Sequence, residues 1–271
     1  MTILPPRSAL YLPASNPRAI EKARILPADM IILDLEDAVR PGLKDEARSA
    51  AVNAVAQGFG DRLTAIRINA ADSDWHAADL IAVLNSACDF VILPKVESVE
   101  VAETVAEMAG KPMIAMIETP RGVINAAAIA QGFEVAGLIA GTNDLANMLH
   151  IPASSAQPNN ARTGLTLALQ TIILAARAAG IWAFDGVFND LASGDGLEAE
   201  CREGRAFGFD GKTLIHPTQI EATNRIWSPS QTEIDDAKAL IAAASGGAER
   251  FGDRMIEDMH VEMAKRLIAR I

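Results

Sequence analysis

Short apolar segments alternate along the chain with longer segments in which apolar residues recur every three or four positions. The short segments have the length of β-strands buried on both faces, and the longer ones have the periodicity of amphipathic helices. We predict strands at residues 8–13, 30–36, 63–69, 89–95, 112–118, 135–141, 181–187 and 208–217. We predict helices at residues 16–26, 44–57, 74–85, 98–109, 121–131, 143–149, 160–179, 195–207 and 217–227. Eight strand–helix units predict an α/β fold in which a parallel sheet closes into a (β/α)8 TIM barrel.

An open, doubly wound sheet is the alternative fold. In that fold a glycine-rich turn of the form GxGxxG or GxxxxGK[ST] opens a helix and cradles phosphate. No predicted helix of this chain begins with such a turn. The barrel is therefore the favoured architecture.

The last part of the chain does not continue the strand–helix alternation. Residues 229–271 contain two helical segments, "PSQTEIDDAKALIAAAS" and "EDMHVEMAKRLIARI", separated by "GGAERFGDRM", which is rich in glycine and charge and is predicted as a loop. We therefore predict a barrel domain at 1–228 and a C-terminal helical extension at 229–271, packed on the barrel or at a subunit interface.

Composition limits the classes of function. The chain has 271 residues, half of them hydrophobic, and no apolar stretch approaches the roughly 20 residues of a membrane span. The first residues lack the basic start and long apolar segment of a signal peptide, so we expect a cytoplasmic protein. A net charge of −11 argues against nucleic acid as a partner, because phosphate contacts need clustered Lys and Arg. An anionic small substrate would need a local basic cluster or a metal ion.

Charged and polar residues stand where most of the predicted strands end. They are Asp34, Glu36 and Asp37 after the second strand, Arg67 and Asn69 after the third, Lys95 and Glu97 after the fourth, Glu118 and Thr119 after the fifth, Asn143 and Asp144 after the sixth, and Asp185 after the seventh. In a (β/α)8 barrel the carboxyl ends of the strands form the mouth where chemistry takes place. We therefore predict one site at this mouth.

The oxygen-rich composition of these strand ends predicts a hard cation, most often Mg²⁺ with bound waters. Glu118 and Asp144 end adjacent strands and are the candidate direct ligands. The three acidic residues of the second strand end, Asp34, Glu36 and Asp37, could hold the waters or orient basic side chains. Arg67 and Lys95 would supply positive charge for a carboxylate or a developing oxyanion.

Structural readings compete with each of these roles. Lys95 could form a rim ion pair with Glu97, Asp144 could cap a helix in "TNDLAN", and Glu118 could be a capping partner. His216 could contact a ligand at the end of the last barrel strand. No Ser-His-Asp arrangement and no GxSxG motif is present.

Eight segments of the chain resemble the citrate lyase β-subunit-like family, within the wider group of malyl-CoA and citramalyl-CoA lyases and class II pyruvate aldolases. They are "RSALYLPASNPRAIEKA", "DMIILDLEDAV…K", "IRIN", "VILPKVES", "MIETPRGV", "AGTNDLA", "FDGVFNDLASGDGL" and "GFDGKTLIHPTQI", and they occur in order over nearly the whole chain. The resemblance implies a (β/α)8 barrel, commonly a homotrimer or hexamer. It also implies use of Mg²⁺ to cleave or form a carbon–carbon bond between an acyl thioester and an oxo acid.

The resemblance also implies roles for individual residues. Glu118 and Asp144 match the family's metal carboxylates, and Arg67 matches the substrate-binding arginine of the "RIN" motif. The acidic strand end at 34–37 matches a conserved feature of the family. Lys22 and Tyr11 match positions near the phosphates or the adjacent moiety of the thioester.

One position departs from the family pattern. In the related lyases an aspartate in a C-terminal "GR-x-x-D" stretch, delivered by a neighbouring subunit, exchanges the proton at the enolate carbon. The matching stretch here is "GDRMIEDMHVEMA", which places Glu257 at that position. Glutamate is also an acid, but it is one methylene longer, and a misplacement of about 1 Å can cost 10²-fold in rate.

The sequence therefore predicts a Mg²⁺-dependent lyase that cleaves a β-hydroxyacyl thioester such as citramalyl-, malyl- or citryl-CoA into an acyl-CoA and an oxo acid. Three alternatives stay open. The chain could be the β subunit of a citrate lyase complex that acts on a carrier-protein thioester. It could be a CoA-independent oxo-acid aldolase, although that subgroup typically uses a histidine base. It could also bind Mg²⁺ and an oxo acid without turnover.

Overall fold

The computed structural model describes residues 4–152 and 158–270. Its central element is a closed barrel in which each strand pairs in parallel with the next and β8 pairs with β1. The barrel strands are β1 (Ser8–Pro13), β2 (Met30–Asp34), β3 (Leu63–Arg67), β4 (Phe90–Leu93), β5 (Met113–Ile117), β6 (Val135–Ala140), β7 (Trp182–Asp185) and β8 (Gly211–Leu214). The predicted (β/α)8 architecture is confirmed.

Helices follow the strands around the barrel. They are α1 (Pro17–Ala23), α2 (Lys44–Gln57), α3 (His76–Leu84), α4 (Val99–Ala109), α5 (Pro120–Ala130), α6 (Thr142–Met148), α7 (Pro158–Ala179), α8 (Gly194–Phe207) and α9 (Ile220–Trp227), with short 3-10 turns at Pro41–Leu43 and Pro217–Gln219. Side-chain caps fix several of their starts. The side chains of Asn16, Ser98 and Thr119 each accept a backbone N–H from the first turn of the following helix. No helix among the described residues is both long and apolar enough to cross a lipid bilayer.

Side chains alternate between the two faces of each strand, and those on the inner face fill the barrel interior. One buried cluster contains inward-facing side chains from every strand but β8, including Met30 and Ile32 of β2 and Met116 of β5. Neighbouring residues on the same strands, such as Ile31 and Leu33, are also fully buried and point outward to the helices. Burial on both faces explains why these strands have almost continuous apolar sequences.

Residues from Arg225 onward form a second compact unit, distinct from the unit at 5–224. It contains α10 (Gln231–Ala243), β9 (Glu249–Phe251), β10 (Arg254–Ile256) and α11 (Asp258–Ile268). The two helices and Ile256 share a small apolar core. Both predicted helices are present.

The predicted loop at 246–255 is wrong. Its second half forms an antiparallel hairpin in which Phe251 pairs with Arg254 and Glu249 pairs with Ile256. Gly252, with a φ of 59°, and Asp253 make the connecting turn. A two-residue turn needs such a left-handed position, so the glycine that suggested irregular chain here allows strand pairing.

Asp185 does not reach the barrel mouth, contrary to its prediction as a rim carboxylate. It follows Phe184, which points inward, so its own side chain points outward and is completely buried. There it contacts Nζ of Lys212 at 3.0 Å and the guanidinium of Arg162 at 3.1 Å. A buried carboxylate needs such cationic partners, and Asp185 therefore belongs to an ion cluster between the barrel and α7 and α8.

Candidate active site

A cavity of about 340 Å³ opens at the carboxyl ends of the barrel strands. Its lining combines the predicted charged side chains with apolar residues from the strand ends and from the start of α6. They are Tyr11, Asp34, Asp37, Ala38, Arg67, Met116, Glu118, Ile139, Ala140, Gly141, Thr142, Asn143, Asp144, Val187, Thr213 and Ile215. The size and the mixture of surfaces suit a small organic acid or the end of a larger ligand.

Arg67 is held rigidly at one side of this cavity. Its Nε and Nη2 atoms donate to the two carboxylate oxygens of Asp34 at 2.7 and 2.6 Å. The guanidinium also lies over the Tyr11 ring, 4.8 Å from its centroid. A bidentate, charge-assisted pair fixes the plane of the guanidinium and leaves Nη1 outside the pair, on the side where Glu36 lies.

Asp34 also shapes the acidic segment that follows β2. Its carboxylate accepts the backbone N–H of Glu36 at 2.9 Å and that of Ala38 at 3.1 Å. This turn brings Glu36 Oε2 within 3.0 Å of Arg67 Nη1. The contact lacks hydrogen-bond geometry, and Oε2 is buried without a hydrogen-bond partner among the described residues.

Lys95 joins the two sides of the mouth. Its backbone is left-handed, with a φ of 53°, which is rare for a residue with a side chain. In this conformation its N–H donates to Glu118 Oε1 at 2.8 Å, and its Nζ lies 3.0 Å from Glu36 Oε1 and 3.6 Å from Asp144 Oδ2. Burial opposes the charge of Lys95, but the bond to Glu36 and the negative charges of Glu36, Glu118 and Asp37 together outweigh it and hold the pKa of Lys95 above its ordinary value.

The predicted ion pair of Lys95 with Glu97 is therefore not formed. Glu97 instead lies 3.7 Å from Nε of Arg121, at the exposed rim. Asp144 does not cap α6, because Gly141 is the N-cap of that helix. Glu118 does not cap α5, because Thr119 is the N-cap there.

Glu118 is a buried carboxylate packed against Gly141. A Cβ atom at Gly141 would lie 2.3 Å from Glu118 Cβ and 2.5 Å from its Oε2, so the glycine makes room for this side chain at the start of α6. Asp144 stands in the first turn of the same helix. Burial raises the pKa of the Glu118 carboxyl to about 8, and the negative charges of Glu36 and Asp144 contribute to the shift.

The donor set of this mouth fits Mg²⁺. Carboxylates outnumber cationic side chains here, and the negative charges of Glu36 and Asp144 add to the effect of burial in raising the pKa of Glu118. Across the residues with described placement, no group of three or more His, Cys, Asp or Glu is arranged to hold a metal ion. Mg²⁺ commonly takes only one or two protein carboxylates and keeps several waters, so Glu118 and Asp144 would suffice.

The remaining predicted site residues differ in where they lie. Asp37 lines the cavity, but its side chain is largely exposed, 3.9 Å from Arg67 Nη1. Asn69 turns outward and bonds to Lys44 and Asp79. Lys22 is exposed on α1 and does not line the cavity. Its predicted contact with the thioester stays a prediction.

Tyr11 lies deep in the cavity, between the inner apolar cluster and Arg67. Its hydroxyl is buried and has no hydrogen-bond partner within the described part of the chain. Burial raises the pKa of this phenol, so the group stays a neutral donor. Tyr11 therefore lines the cavity with a buried hydroxyl, and its predicted contact with the thioester stays a prediction.

Two further predicted residues, His216 and Glu257, are not among the cavity-lining residues. His216 caps the 3-10 turn at Pro217–Gln219, where its Nδ1 accepts the backbone N–H of Thr218 at 3.3 Å, and it does not line the cavity. Glu257 belongs to the second compact unit, where it is exposed directly before α11. Its predicted acid–base role stays a prediction.

Sequence reasoning missed Gly141 and the apolar walls formed by Met116, Ile139 and Val187. Gly141 opens the "GTNDLA" segment, and a glycine directly before a carboxylate-bearing helix is a signal for a close approach. The apolar walls carry no such signal, because their sequence pattern is that of ordinary strand and loop residues.

The sequence profile of the HpcH/HpaI aldolase/citrate lyase family matches residues 7–217. The chain belongs to this family. This family member is 42% identical to the (3S)-malyl-CoA thioesterase of Cereibacter sphaeroides, over 98% of this chain and 94% of that protein. It is 32% identical to the citrate lyase β subunit of Escherichia coli, over 97% and 92% of the two chains.

Solved structures of family members have the same fold. CitE of Mycobacterium tuberculosis, in complex with magnesium, acetoacetate and coenzyme A, gives a TM-score of 0.82 at 33% identity and covers 97% of both chains. The citrate lyase β subunit of the same organism, complexed with oxaloacetate and magnesium, gives a TM-score of 0.73 at 36% identity and covers 82% of this chain and 97% of that one.

Replacing Gly141 with alanine is expected to weaken Mg²⁺ binding by at least about tenfold, because the new Cβ would displace the Glu118 carboxylate. Isothermal titration calorimetry with Mg²⁺ measures the change. Gly194→Ala is the matched control, since nothing lies within 4 Å of a Cβ added there. Unchanged affinity in G141A would remove Glu118 from the metal site.

Mg²⁺ is expected to raise the melting temperature more at about pH 9 than at about pH 6. The pKa of Glu118 is about 8 in the folded, metal-free protein and 4.5 for an ordinary glutamate, so the folded state binds the extra proton between these values. The stability that this group contributes therefore falls as pH rises through that window, while competition by protons for the metal site disappears.

Thermal unfolding with and without Mg²⁺ at both pH values tests this expectation. In Glu118→Gln the pH dependence of the Mg²⁺ effect should be lost. A shift in melting temperature that is the same at both pH values in the wild-type chain would contradict it.

Proposed function

We propose that this protein is a Mg²⁺-dependent enzyme that acts on a CoA thioester whose acyl chain carries a hydroxyl group and a carboxylate on one carbon, as in malyl- or citramalyl-CoA. We propose carbon–carbon cleavage, to an acyl-CoA and an oxo acid, as its reaction. The observation that carries the proposal is the convergence of Glu118, Asp144 and Arg67 on one cavity.

The residues of the mouth have distinct tasks in this proposal. Glu118 and Asp144 would hold Mg²⁺, which when bound would orient the hydroxyl and carboxylate oxygens of the substrate and polarise the hydroxyl. Arg67, fixed by Asp34, presents Nη1 to the same carboxylate. Lys95 places a second positive charge between Glu36 and Asp144.

Cleavage breaks the bond between the hydroxyl-bearing carbon and the carbon next to the thioester. The hydroxyl group loses its proton and becomes the carbonyl of the oxo acid, and the electron pair of the broken bond passes to the thioester enolate. A proton is then delivered to the enolate carbon. Mg²⁺ held by Glu118 and Asp144 would stabilise the negative charge on the hydroxyl oxygen as its proton leaves, which favours cleavage at the hydroxyl-bearing carbon.

Complexes of the Mycobacterium tuberculosis relatives agree in chemistry with this proposal, because those proteins bind magnesium together with acetoacetate and coenzyme A or with oxaloacetate. A trimer or hexamer, a cytoplasmic location and a C-terminal extension from 229 that completes a neighbouring site are further parts of the proposal. They rest on the family resemblance.

Hydrolysis of the same thioester is the second candidate reaction. In it, water supplies a hydroxyl group to the acyl carbon and a proton to the sulfur, and the carbon chain stays intact. Identity is higher to proteins named malyl-CoA thioesterase, at 42%, than to citrate lyase β subunits, at 32% to 34%. Glu257 in place of the lyase aspartate also fits a chain that no longer needs to protonate an enolate.

Mass spectrometry of malyl-, citramalyl-, methylmalyl- and citryl-CoA after incubation with the protein distinguishes the reactions. We expect Mg²⁺-dependent formation of an acyl-CoA and an oxo acid, and its loss in Glu118→Gln. Free CoA with an intact hydroxy acid would instead establish a thioesterase. Intact thioesters would overturn both reactions, and oxo-acid binding under the same conditions would then favour a non-catalytic binder or a carrier-protein substrate.

Replacing Glu257 with aspartate is expected to raise the rate of carbon–carbon cleavage, by up to about 10²-fold, because the carboxyl group would return to the position that the lyases use. The rate of acyl-CoA formation measures this change. Glu262→Asp on α11 makes the same chemical change at an exposed position and serves as the control. No gain in the Glu257 variant would show that this glutamate is not what limits cleavage.

A further inference from the structure

Lys44 is a buried lysine that the proposed chemistry does not use. It is the first residue of α2 and is only 6% exposed. Its Nζ donates to the carbonyl oxygens of Leu35 and Glu36 at 2.7 and 2.8 Å and to Asn69 Oδ1 at 2.6 Å. The three N–H groups of the ammonium therefore each have an acceptor.

The position of Lys44 in its helix does not explain its presence. A positive charge in the first turn opposes the helix dipole, which favours negative groups there, and Asp45 and Glu46 follow that rule. Burial of an ammonium is also unfavourable unless its hydrogen bonds are satisfied. The stabilisation that offsets these two costs must come from the groups that the ammonium joins by hydrogen bonds.

The three acceptors belong to two neighbouring strand ends of the mouth. Leu35 and Glu36 follow β2, and Asn69 follows β3, where Asp79 fixes its amide at 2.6 Å. Glu36 is the residue whose carboxylate contacts Lys95 Nζ and Arg67 Nη1, each at 3.0 Å. Lys44 therefore hydrogen-bonds to the backbone of Glu36, the residue whose side chain contacts Lys95 and Arg67.

We propose that Lys44 is a positioning residue that sets the Glu36 carboxylate against Lys95 and Arg67 by clamping the carbonyls of Leu35 and Glu36 to Asn69. Only the expected loss of catalytic rate rests on the function proposed above, and the expected position of the Glu36 carboxylate does not. Without the clamp the backbone N–H groups of Leu35 and Glu36 are still held, but their carbonyls are released. The Glu36 carboxylate then shifts, and Lys95 loses the nearer of its two carboxylate contacts.

Arg48 provides a matched control on the same helix. Its Nε donates to Asp79 Oδ1 at 2.7 Å, so it supports the same polar shell, and its side chain is only 14% exposed. It donates to Asp79 and Asp45 rather than to Leu35 or Glu36. Loss of Arg48 should therefore lower stability without moving the Glu36 carboxylate.

Kinetics of Lys44→Met, Arg48→Met, Glu36→Gln and the Lys44–Glu36 double variant test the proposal. Lys44→Met is expected to lower kcat/KM about 10- to 100-fold, as misplacement of a site group does, while Arg48→Met stays within about threefold of wild type. Because Lys44 acts through Glu36, the double variant should be no more than about threefold worse than the worse single variant. Additive losses in the double variant would overturn the proposal.

Two further measurements separate this proposal from folding defects and from the proposed function. Lys44→Gln keeps side-chain donors and replaces Lys44→Met if the latter does not fold, with the same expected coupling to Glu36. Crystal structures of the Lys44 and Arg48 variants give the distance from Glu36 Oε1 to Lys95 Nζ, which is 3.0 Å here. We expect this contact to break only in the Lys44 variant. An intact contact would refute positioning by Lys44, whether or not any thioester is turned over.

Discussion

The pair between Arg67 and Asp34 is the contact on which the mouth of the barrel depends. Both side chains are nearly excluded from solvent, and their two parallel hydrogen bonds join the ends of β2 and β3. A buried ion pair contributes little net stability, because desolvation offsets the attraction, but it fixes geometry strongly. Asp34 also accepts the backbone N–H groups of Glu36 and Ala38, so the same carboxylate orients Arg67 and holds the acidic segment from one side, while Lys44 holds its carbonyls.

The fold could be predicted from the sequence because each strand is buried on both faces and each helix has its own periodicity. Helix α2 begins and ends at the predicted residues, and β1 has its predicted bounds. The predicted ends of other strands run past the observed ones, because polar residues such as Glu36 and Glu118 extend the apparent strand into the loops of the mouth. The hairpin at Glu249–Ile256 was missed because a single glycine signals both irregular chain and a tight turn.

The site could be predicted only in part, since a polar residue at a strand end does not reveal the direction of its side chain. Glu118 and Asp144 line the cavity, whereas Asp185 and Asn69 turn to the helices and pair there with buried lysines. The left-handed turn at Lys95 also breaks the simple alternation by which inward positions are counted. Contacts of this kind depend on partners far along the chain, and the local pattern contains no information about them.

The backbone at Lys95 connects the site to the stability of the whole protein. A left-handed conformation costs a residue with a side chain roughly 1–2 kcal/mol that glycine would not lose. Selection for stability alone would therefore favour glycine at this position, while the ion pairs of Nζ with Glu36 and Asp144 require the lysine. The left-handed backbone at Lys95 therefore lowers the stability of the barrel, and the positive charge that it holds between Glu36 and Asp144 is what a glycine would lack.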